Sequence, residues 1–328
     1  MSVMNRKLLS IIIPIFNEEA NIPTLYKELR SILHAIQDRY DYEILFINDG
    51  SSDLSWLKIK EISLLDHRVK AITFSRNFGH QMALTAGYDH VKGDVIITMD
   101  ADMQDPPSLT LSMIEKWEKG AHIVYAKRIG RSDSFLKRIT ANLYYKFLDS
   151  IADVKIPRNV GDFRLIDKKV LEVLNGCREK SRYFRGMVAW TGFSSSFVEF
   201  TRPNRLAGKT GYTWKKMFKL AFDGMTSFSM FPLKLAAYVG LFVIATGTLM
   251  FLYITFDTMM NQVNYPLFKW LVTVIYIFMG VQFLLMWFLG EYIGRVYEQT
   301  KARPLYIIEE KMNMGSEREV LRDCLRIK

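Results

Sequence analysis

Val95-Ile96-Ile97-Thr98-Met99-Asp100-Ala101-Asp102-Met103-Gln104-Asp105-Pro106-Pro107 runs from a short apolar segment into an acidic turn closed by two prolines. The apolar part reads as a buried strand, and similar runs occur at Leu8–Ile13, Tyr42–Ile47, Val69–Phe74 and Ile123–Ala126. Each but the last is followed by a polar turn and a helix-like period. The order βαβαβαβαβ predicts an α/β domain whose parallel sheet is covered by helices on both faces. Ligands of such sheets collect at the carboxyl ends of the strands. Asp100 and Asp102 stand at one of these ends.

Two carboxylates one residue apart repel each other unless a cation sits near them. Magnesium or manganese suits the position, since both take hard oxygen ligands, few of them from protein, with phosphate oxygens completing the shell. Helix capping is the other common use of an Asp-rich turn, and the strand end favours the metal. Competing motifs fail. No GxGxxG follows the first run, which disfavours a dinucleotide oxidoreductase. Gly208-Lys209-Thr210 imitates the end of a P-loop, but Pro203 occupies the place of its first glycine. HExxH and GxSxG are absent. His34, His67, His80, His90 and His122 lack metal-ligand spacing, and only His80, in a loop after a strand, is placed to reach a ligand, a structural role being the favoured reading even there.

The chain has 328 residues, 49% of them hydrophobic, far too apolar for disorder. Its 44 Lys and Arg against 34 Asp and Glu give a net charge of +10, which favours an anionic partner. Cys177 and Cys324 form no CxxC pair, so a disulfide scaffold and structural zinc are excluded and a reducing compartment fits.

Residues 235–256 and 270–289 carry no formal charge, and at ~1.5 Å per residue each reaches the ~30 Å of a bilayer core. Two transmembrane helices are predicted, with Tyr238, Tyr265, Trp270, Trp287 and Tyr292 as interfacial aromatics. Seven Lys and Arg against Asp223 alone lie between Thr201 and Lys234, and the loop 257–269 is neutral. The positive-inside rule then places both termini in the cytosol. The run Leu8–Ile15 is too short and interrupted for a signal peptide, so residues 1–212 are expected to form a cytosolic domain. Apolar positions Met217, Phe218, Ala221, Met225 and Phe228 predict an amphipathic juxtamembrane helix within 213–234. Phe135, Leu136, Ile139, Leu143 and Phe147 predict another, and 290–328 reads as a polar cytosolic tail.

Seven segments in order now carry a resemblance. Pro14-Ile15-Phe16-Asn17-Glu18-Glu19, Ile47-Asn48-Asp49-Gly50-Ser51-Ser52-Asp53, Ser75-Arg76-Asn77-Phe78-Gly79 and the turn from Asp100 to Pro107 resemble an inverting GT-A glycosyltransferase of family 2. Val160-Gly161-Asp162-Phe163-Arg164-Leu165, Leu289-Gly290-Glu291-Tyr292-Ile293-Gly294-Arg295 and Arg303-Pro304 narrow it. The whole chain is similar to the membrane-bound polyprenyl-phosphate glycosyltransferases, in the bactoprenol glucosyltransferase and N-acetylglucosaminyltransferase branch.

The resemblance implies a Rossmann-like GT-A nucleotide-binding domain followed by two transmembrane helices in the inner membrane. It implies transfer of glucose or N-acetylglucosamine, with inversion, from a UDP-sugar to undecaprenyl phosphate for cell-envelope glycosylation. Mg²⁺ or Mn²⁺ would be held by Asp100, Asp102 and Gln104. Pro14 and Phe16 would line the base pocket, Glu18 hold ribose, Asp49 accept from uracil and Arg76 complete the donor site, while Asp53 caps the next helix. Asp162 would be catalytic beside Asp102, orienting more than abstracting a proton, because a lipid monophosphate with a second pKa near ~6 arrives already nucleophilic. Arg128, Arg131, Ser134, Lys137 and Arg138, within a segment of six Lys and Arg from Lys127 to Lys146, are acceptor-phosphate candidates. A solvated basic face toward anionic headgroups is the other reading of each. Gly211 stands where relatives carry a diphosphate-binding lysine, so Lys209 or Arg205 is expected to substitute.

Two other functions compete. A processive polysaccharide synthase would need a QxxRW motif, and none of Gln37, Gln81, Gln104, Gln262, Gln282 or Gln299 begins one. A non-catalytic membrane scaffold with a decayed nucleotide domain is disfavoured by Asp49, Asp100, Asp102 and Asp162. Gly240, Gly247 and Gly280 permit close helix approach and hence a homo-oligomer. No nucleic-acid partner is expected.

Overall fold

A computed structural model of the chain describes residues 6–129, 157–201 apart from 178 and 181, 267–314, and single residues at 249, 256 and 260. These belong to two compact units. The larger contains residues from the first 213 together with those from Pro304 onward, and the smaller contains most of the chain from Trp214 to Arg303.

The larger unit alternates strand and helix as expected. It begins β1 (Lys7–Ile15), α1 (Ile22–His34), β2 (Tyr40–Asn48), α2 (Ser55–Leu65), β3 (Val69–Phe74), α3 (His80–His90), β4 (Val95–Thr98) and α4 (Leu109–Glu118). It continues β5 (Ile123–Ile129), β6 (Val160–Asp167), α5 (Lys168–Gly176), α6 (Phe184–Trp190), β7 (Ser195–Thr201) and, after the smaller unit, β8 (Ile308–Met312). The first strands form because their apolar runs are buried continuously: β1 is closed to solvent from Leu9 to Ile15 and β2 from Tyr42 to Asn48. The helix α1 starts with a proline in its first turn, where the missing N–H costs nothing, and buries Ile22, Leu25, Leu29 and Leu33 along one stripe.

The sheet order is β7-β5-β6-β4-β1-β2-β3-β8. The chain moves outward from β1 through β2 to β3 and then returns to lay β4 on the other side of β1, all four in parallel. This reversal between β1 and β4 is the switch point at which open α/β sheets form a crevice. The wholly parallel sheet expected from the sequence is corrected beyond β4: β6 inserts between β4 and β5 and runs antiparallel to both. The reversal has a chemical consequence. It sets the amino end of β6, with Thr98 opposite Arg164, beside the carboxyl end of β4, and the Thr98 hydroxyl donates to the Asp162 carbonyl at 2.7 Å.

The segment after Tyr306, which the sequence leaves without structure, closes the far edge as β8, antiparallel to β3. Tyr306 stacks on Phe74 with centroids 5.1 Å apart and donates to Asp89 at 2.9 Å, and the Ser75 amide donates to the Ile307 carbonyl at 3.1 Å.

The smaller unit contributes the 34-residue α7 (Leu267–Thr300), within which the expected span 270–289 falls. Side chains of α7 are described in part, and among the described residues no helix is long and apolar enough to cross a membrane. The expected span 235–256 lies outside the described residues except at 249 and 256, and the amphipathic stretches at 135–147 and 213–234 lie wholly outside them.

Candidate active site

The loops leaving β1 and β2 are laced together. The Asn17 amide donates to Ser51 Oγ at 3.0 Å, and Asn17 Oδ1 accepts the Ser52 amide at 2.9 Å while Asn17 itself holds φ at 56°. Glu19 accepts the Leu54 amide at 2.8 Å, and Asp53 accepts those of Ser55 at 3.0 Å and Glu19 at 3.2 Å. Leu54, with no side-chain cap, stands at the helix cap of α2, so Asp53 serves that helix from one residue further out and also ties the two loops. Pro14 is buried within β1 opposite Ile47, whereas Phe16 is 48% exposed at the mouth of the loop. Glu18 is half-buried and accepts from Asn21 Nδ2 at 2.6 Å.

Burial pushes the Asp53 carboxyl up, but the Ser55 hydroxyl and the amides of Ser55 and Glu19 outweigh it and hold the group below its ordinary value. A carboxyl depressed in the fold stabilises above its unfolded pKa of ~3.9 and loses that contribution as pH falls through the folded value. Asp53→Ala is therefore expected to lower stability by about 1 kcal/mol at neutral pH. In denaturant titrations the difference from the parent should shrink under acid, and a constant difference would show that the carboxylate is not its source.

Asp49, at the end of β2, is buried and organises the loop after β3. Its two oxygens accept the Phe78 amide at 2.7 Å, the Gly79 amide at 2.9 and 3.2 Å, and Asn77 Nδ2 at 2.9 Å. Burial raises its carboxyl despite those amides and the charges of His80 and Arg76. Gly50, with φ of 63°, lies so close beneath this loop that a Cβ would come within 2.4 Å of the Arg76 carbonyl carbon. Only glycine meets both conditions. Arg76 is exposed, its guanidinium 4.0 Å from the Phe78 ring centroid.

The acidic turn after β4 meets the amino end of β6. Asp100 is partly exposed, Asp102 Oδ1 accepts the Gln104 amide at 3.1 Å, and Met103 between them takes φ of 59°. Asp162 is almost fully buried and faces two guanidinium groups and an imidazole. Arg164 Nη2 bonds its Oδ1, Arg185 reaches it through Nη2 at 3.0 Å and Nε at 3.3 Å, and His80 Nε2 lies 3.4 Å from Oδ2. His80 Nε2 is also 3.8 Å from Asp100 Oδ1 and so joins the two carboxylates. Burial would raise Asp162, but Arg185, the His80 bond and Arg164 hold it well below the carboxylate range. Burial pulls the His80 imidazole down, and Asp162 and Asp100 more than restore it, leaving it raised. Asp100 is raised by burial, with His80 opposing and Asp162 and Asp102 adding to it. Asp105, fully buried behind the turn, is pushed up to about 7 by burial and by Asp100.

The site thus brings together Asp100, Asp102, Gln104 and Asp162 from the residues expected, and adds His80 and Arg185. The sequence reading reached His80 only as a residue able to meet a ligand. It missed Arg185, for which the one local signal is a second arginine three residues after Arg182 in the short helix-forming stretch before β7. Arg128 leaves β5 toward Asp105. Arg131, Ser134, Lys137, Arg138, Arg205 and Lys209 lie outside the described residues. Among the described residues no group of three or more His, Cys, Asp or Glu is arranged to hold a metal ion by protein ligands alone.

A sequence model of the family described as "Glycosyl transferase family 2" matches residues 10–174, half of the chain, and spans β1 to α5 with every carboxylate of the site. The chain belongs to glycosyl transferase family 2. It is a glycosyltransferase with the α/β GT-A architecture. A protein of Bacillus subtilis (strain 168) called "Uncharacterized glycosyltransferase YkcC" is 44% identical over 310 residues, covering 94% of this chain and 95% of its own. The "Bactoprenol glucosyl transferase" of Shigella phage SfX is 41% identical over 307 residues, covering 92% of this chain and 99% of its own. Among solved structures, glucosyl-3-phosphoglycerate synthase from Mycobacterium tuberculosis, in complex with phosphoglyceric acid, is similar at 15% identity with a TM-score of 0.44, covering 66% of this chain and 76% of its own.

Proposed function

We propose that this glycosyltransferase moves a hexose, glucose or N-acetylglucosamine, from a UDP-sugar to undecaprenyl phosphate at the cytoplasmic face of the inner membrane, inverting the anomeric centre. The observation that carries the reading is the acidic turn Asp100–Gln104 at the β1/β4 switch point, set against an Asp162 kept anionic by Arg164, Arg185 and His80.

The donor set fits Mg²⁺ or Mn²⁺. Asp100 and Asp102 supply hard oxygens one residue apart, and a divalent ion between them relieves the repulsion of two neighbouring carboxylates. Two protein carboxylates, with Gln104 beside them, leave positions for diphosphate oxygens. When bound, such an ion neutralises the departing UDP, so no general acid is required.

The remaining chemistry belongs to the chain. Phe16 and Pro14 offer apolar surface and Glu18 an acceptor at the β1 side, where a nucleoside would lie across the strand ends. The acceptor phosphate oxygen attacks the anomeric carbon in line with the bond to UDP, one C–O bond forming as the other breaks. A phosphate monoester with a second pKa near ~6 is largely dianionic at neutral pH and needs no deprotonation. Asp162, held well below the carboxylate range, is a poor base and acts by orienting its cations and the sugar.

The membrane setting has one structural support. The described apolar side chains Leu271, Ile275, Phe278, Met286, Leu289, Ile293 and Val296 of α7 recur mostly at three- and four-residue intervals and are about half exposed or more, as a lipid-facing stripe would be. The relatives named for bactoprenol agree with a lipid acceptor. Membranes containing the protein, supplied with Mn²⁺, polyprenyl phosphate and labelled UDP-glucose or UDP-N-acetylglucosamine, should yield a labelled lipid that is labile to mild acid. Failure of every UDP-sugar to label lipid would overturn the proposal.

A further inference from the structure

Behind the acidic turn Arg128, an acceptor-phosphate candidate, is paired with Asp105, a group to which the proposed reaction gives no part. Asp105 is fully buried. Its Oδ2 accepts the amide of Asp100 at 3.4 Å, and its Oδ1, with no hydrogen-bond partner among the described residues, lies 3.6 Å from Arg128 Nη2. Arg128 is mostly buried in turn, and its Nε also lacks a partner among the described residues. The guanidinium sits over β6 at Gly161, where a Cβ would come within 2.7 Å of Nη2, so glycine at that position makes its seat. The Arg128 amide donates to the Asn159 carbonyl at 3.0 Å, which fixes the base of the side chain.

A buried carboxyl with one oxygen unsatisfied costs the fold stability. Here one oxygen holds the backbone of Asp100 and the other faces a cation anchored on β5 and β6. We infer that Asp105 is a positioning residue, which locks the Asp100–Asp102 turn to Arg128 and so sets the geometry in which the turn receives a divalent cation and a nucleoside diphosphate. The inference rests on the reading of that turn as the metal-binding segment.

The test is a binding measurement on the full-length protein in detergent: Mn²⁺ affinity in the presence of UDP, read from the electron paramagnetic resonance of free Mn²⁺. Asp105→Asn keeps the volume and can still accept the Asp100 amide through its oxygen, but then presents an NH₂ group, which cannot accept, to Arg128. It is expected to weaken Mn²⁺ binding about tenfold, or ~1.4 kcal/mol. In an Arg128→Gln background the same change should cost less than about threefold, because the partner through which it acts is gone. Thermal unfolding of each variant checks folding. An Asp105→Asn protein that folds and binds Mn²⁺ within about twofold of the parent overturns the inference, as does an equal loss with and without Arg128. A parent protein that shows no Mn²⁺-dependent UDP binding overturns the metal reading as well, which separates the two failures.

Discussion

Asp102→Ala is expected to reduce lipid-linked product by a thousandfold or more, on the order of 4 kcal/mol of transition-state stabilisation. Asp102 is half-buried in the turn, where the left-handed Met103 directs it and the Gln104 amide bonds it. Its neighbours Asp100 and Asp162 supply negative charge but cannot replace its position, since Asp162 is held by Arg164, Arg185 and His80. The loss should appear in the maximal rate at saturating donor and also as lost Mn²⁺-dependent UDP binding in calorimetry. Asp53→Ala, in the adjoining loop, provides a comparison that retains most activity. Asp102→Ala activity within tenfold of the parent would remove the acidic turn from the mechanism.

The largest effect on stability is expected at Arg164. Its guanidinium is fully buried and bonds the Asp162 carboxylate, the Asp162 carbonyl at 3.3 Å and the Phe184 carbonyl at 3.1 Å. Arg164→Met fills much of the volume while removing the guanidinium's bonds to the Asp162 and Phe184 carbonyls, of which the first keeps the Thr98 hydroxyl, and leaving Asp162 short of a cation. Breaking a buried pair from one side costs about 3–5 kcal/mol, a large part of a domain's margin. A fall of the melting midpoint on the order of 10 °C is expected in detergent-solubilised protein. A shift under about 2 °C would mean that Arg185 and His80 already balance Asp162 and that Arg164 is dispensable for folding.

Much of the fold was legible because β1 to β5 are apolar runs separated by turns and periodic helices, a pattern set by local burial. The strands that escaped notice are of another kind. β7 alternates exposed residues with Val198 and Phe200 in the core, and β8 is short, charged and at most half-buried, so neither has a continuous apolar run to announce it. β6 escapes notice too, since Asp162 and Arg164 interrupt its apolar residues, and its direction is invisible to periodicity because parallel and antiparallel strands bury the same side chains. That direction brings Asp162 to Asp100, so a site inferred from a wholly parallel sheet lacks the reason for their meeting. His80 and Arg185 could not be placed in advance for the same cause. Each is unremarkable among its neighbours in the chain, and only the fold sets them against one carboxylate. Asp49 shows the opposite case: a polar residue at a strand end that the sequence directs at a ligand, whose oxygens in the structure bond the loop carrying Asn77, Phe78 and Gly79.

β8 bears on how the protein is made. The ribosome finishes β7 at Thr201 and reaches Ile308 about a hundred residues later, roughly 5–20 s at ~5–20 residues per second. During that interval one edge of β3 has no partner from β8, and unpaired strand edges invite pairing with other chains. The nascent protein therefore carries an adhesive flank until its last strand emerges, and a translational pause or premature stop between these positions leaves that flank open for as long as the chain persists.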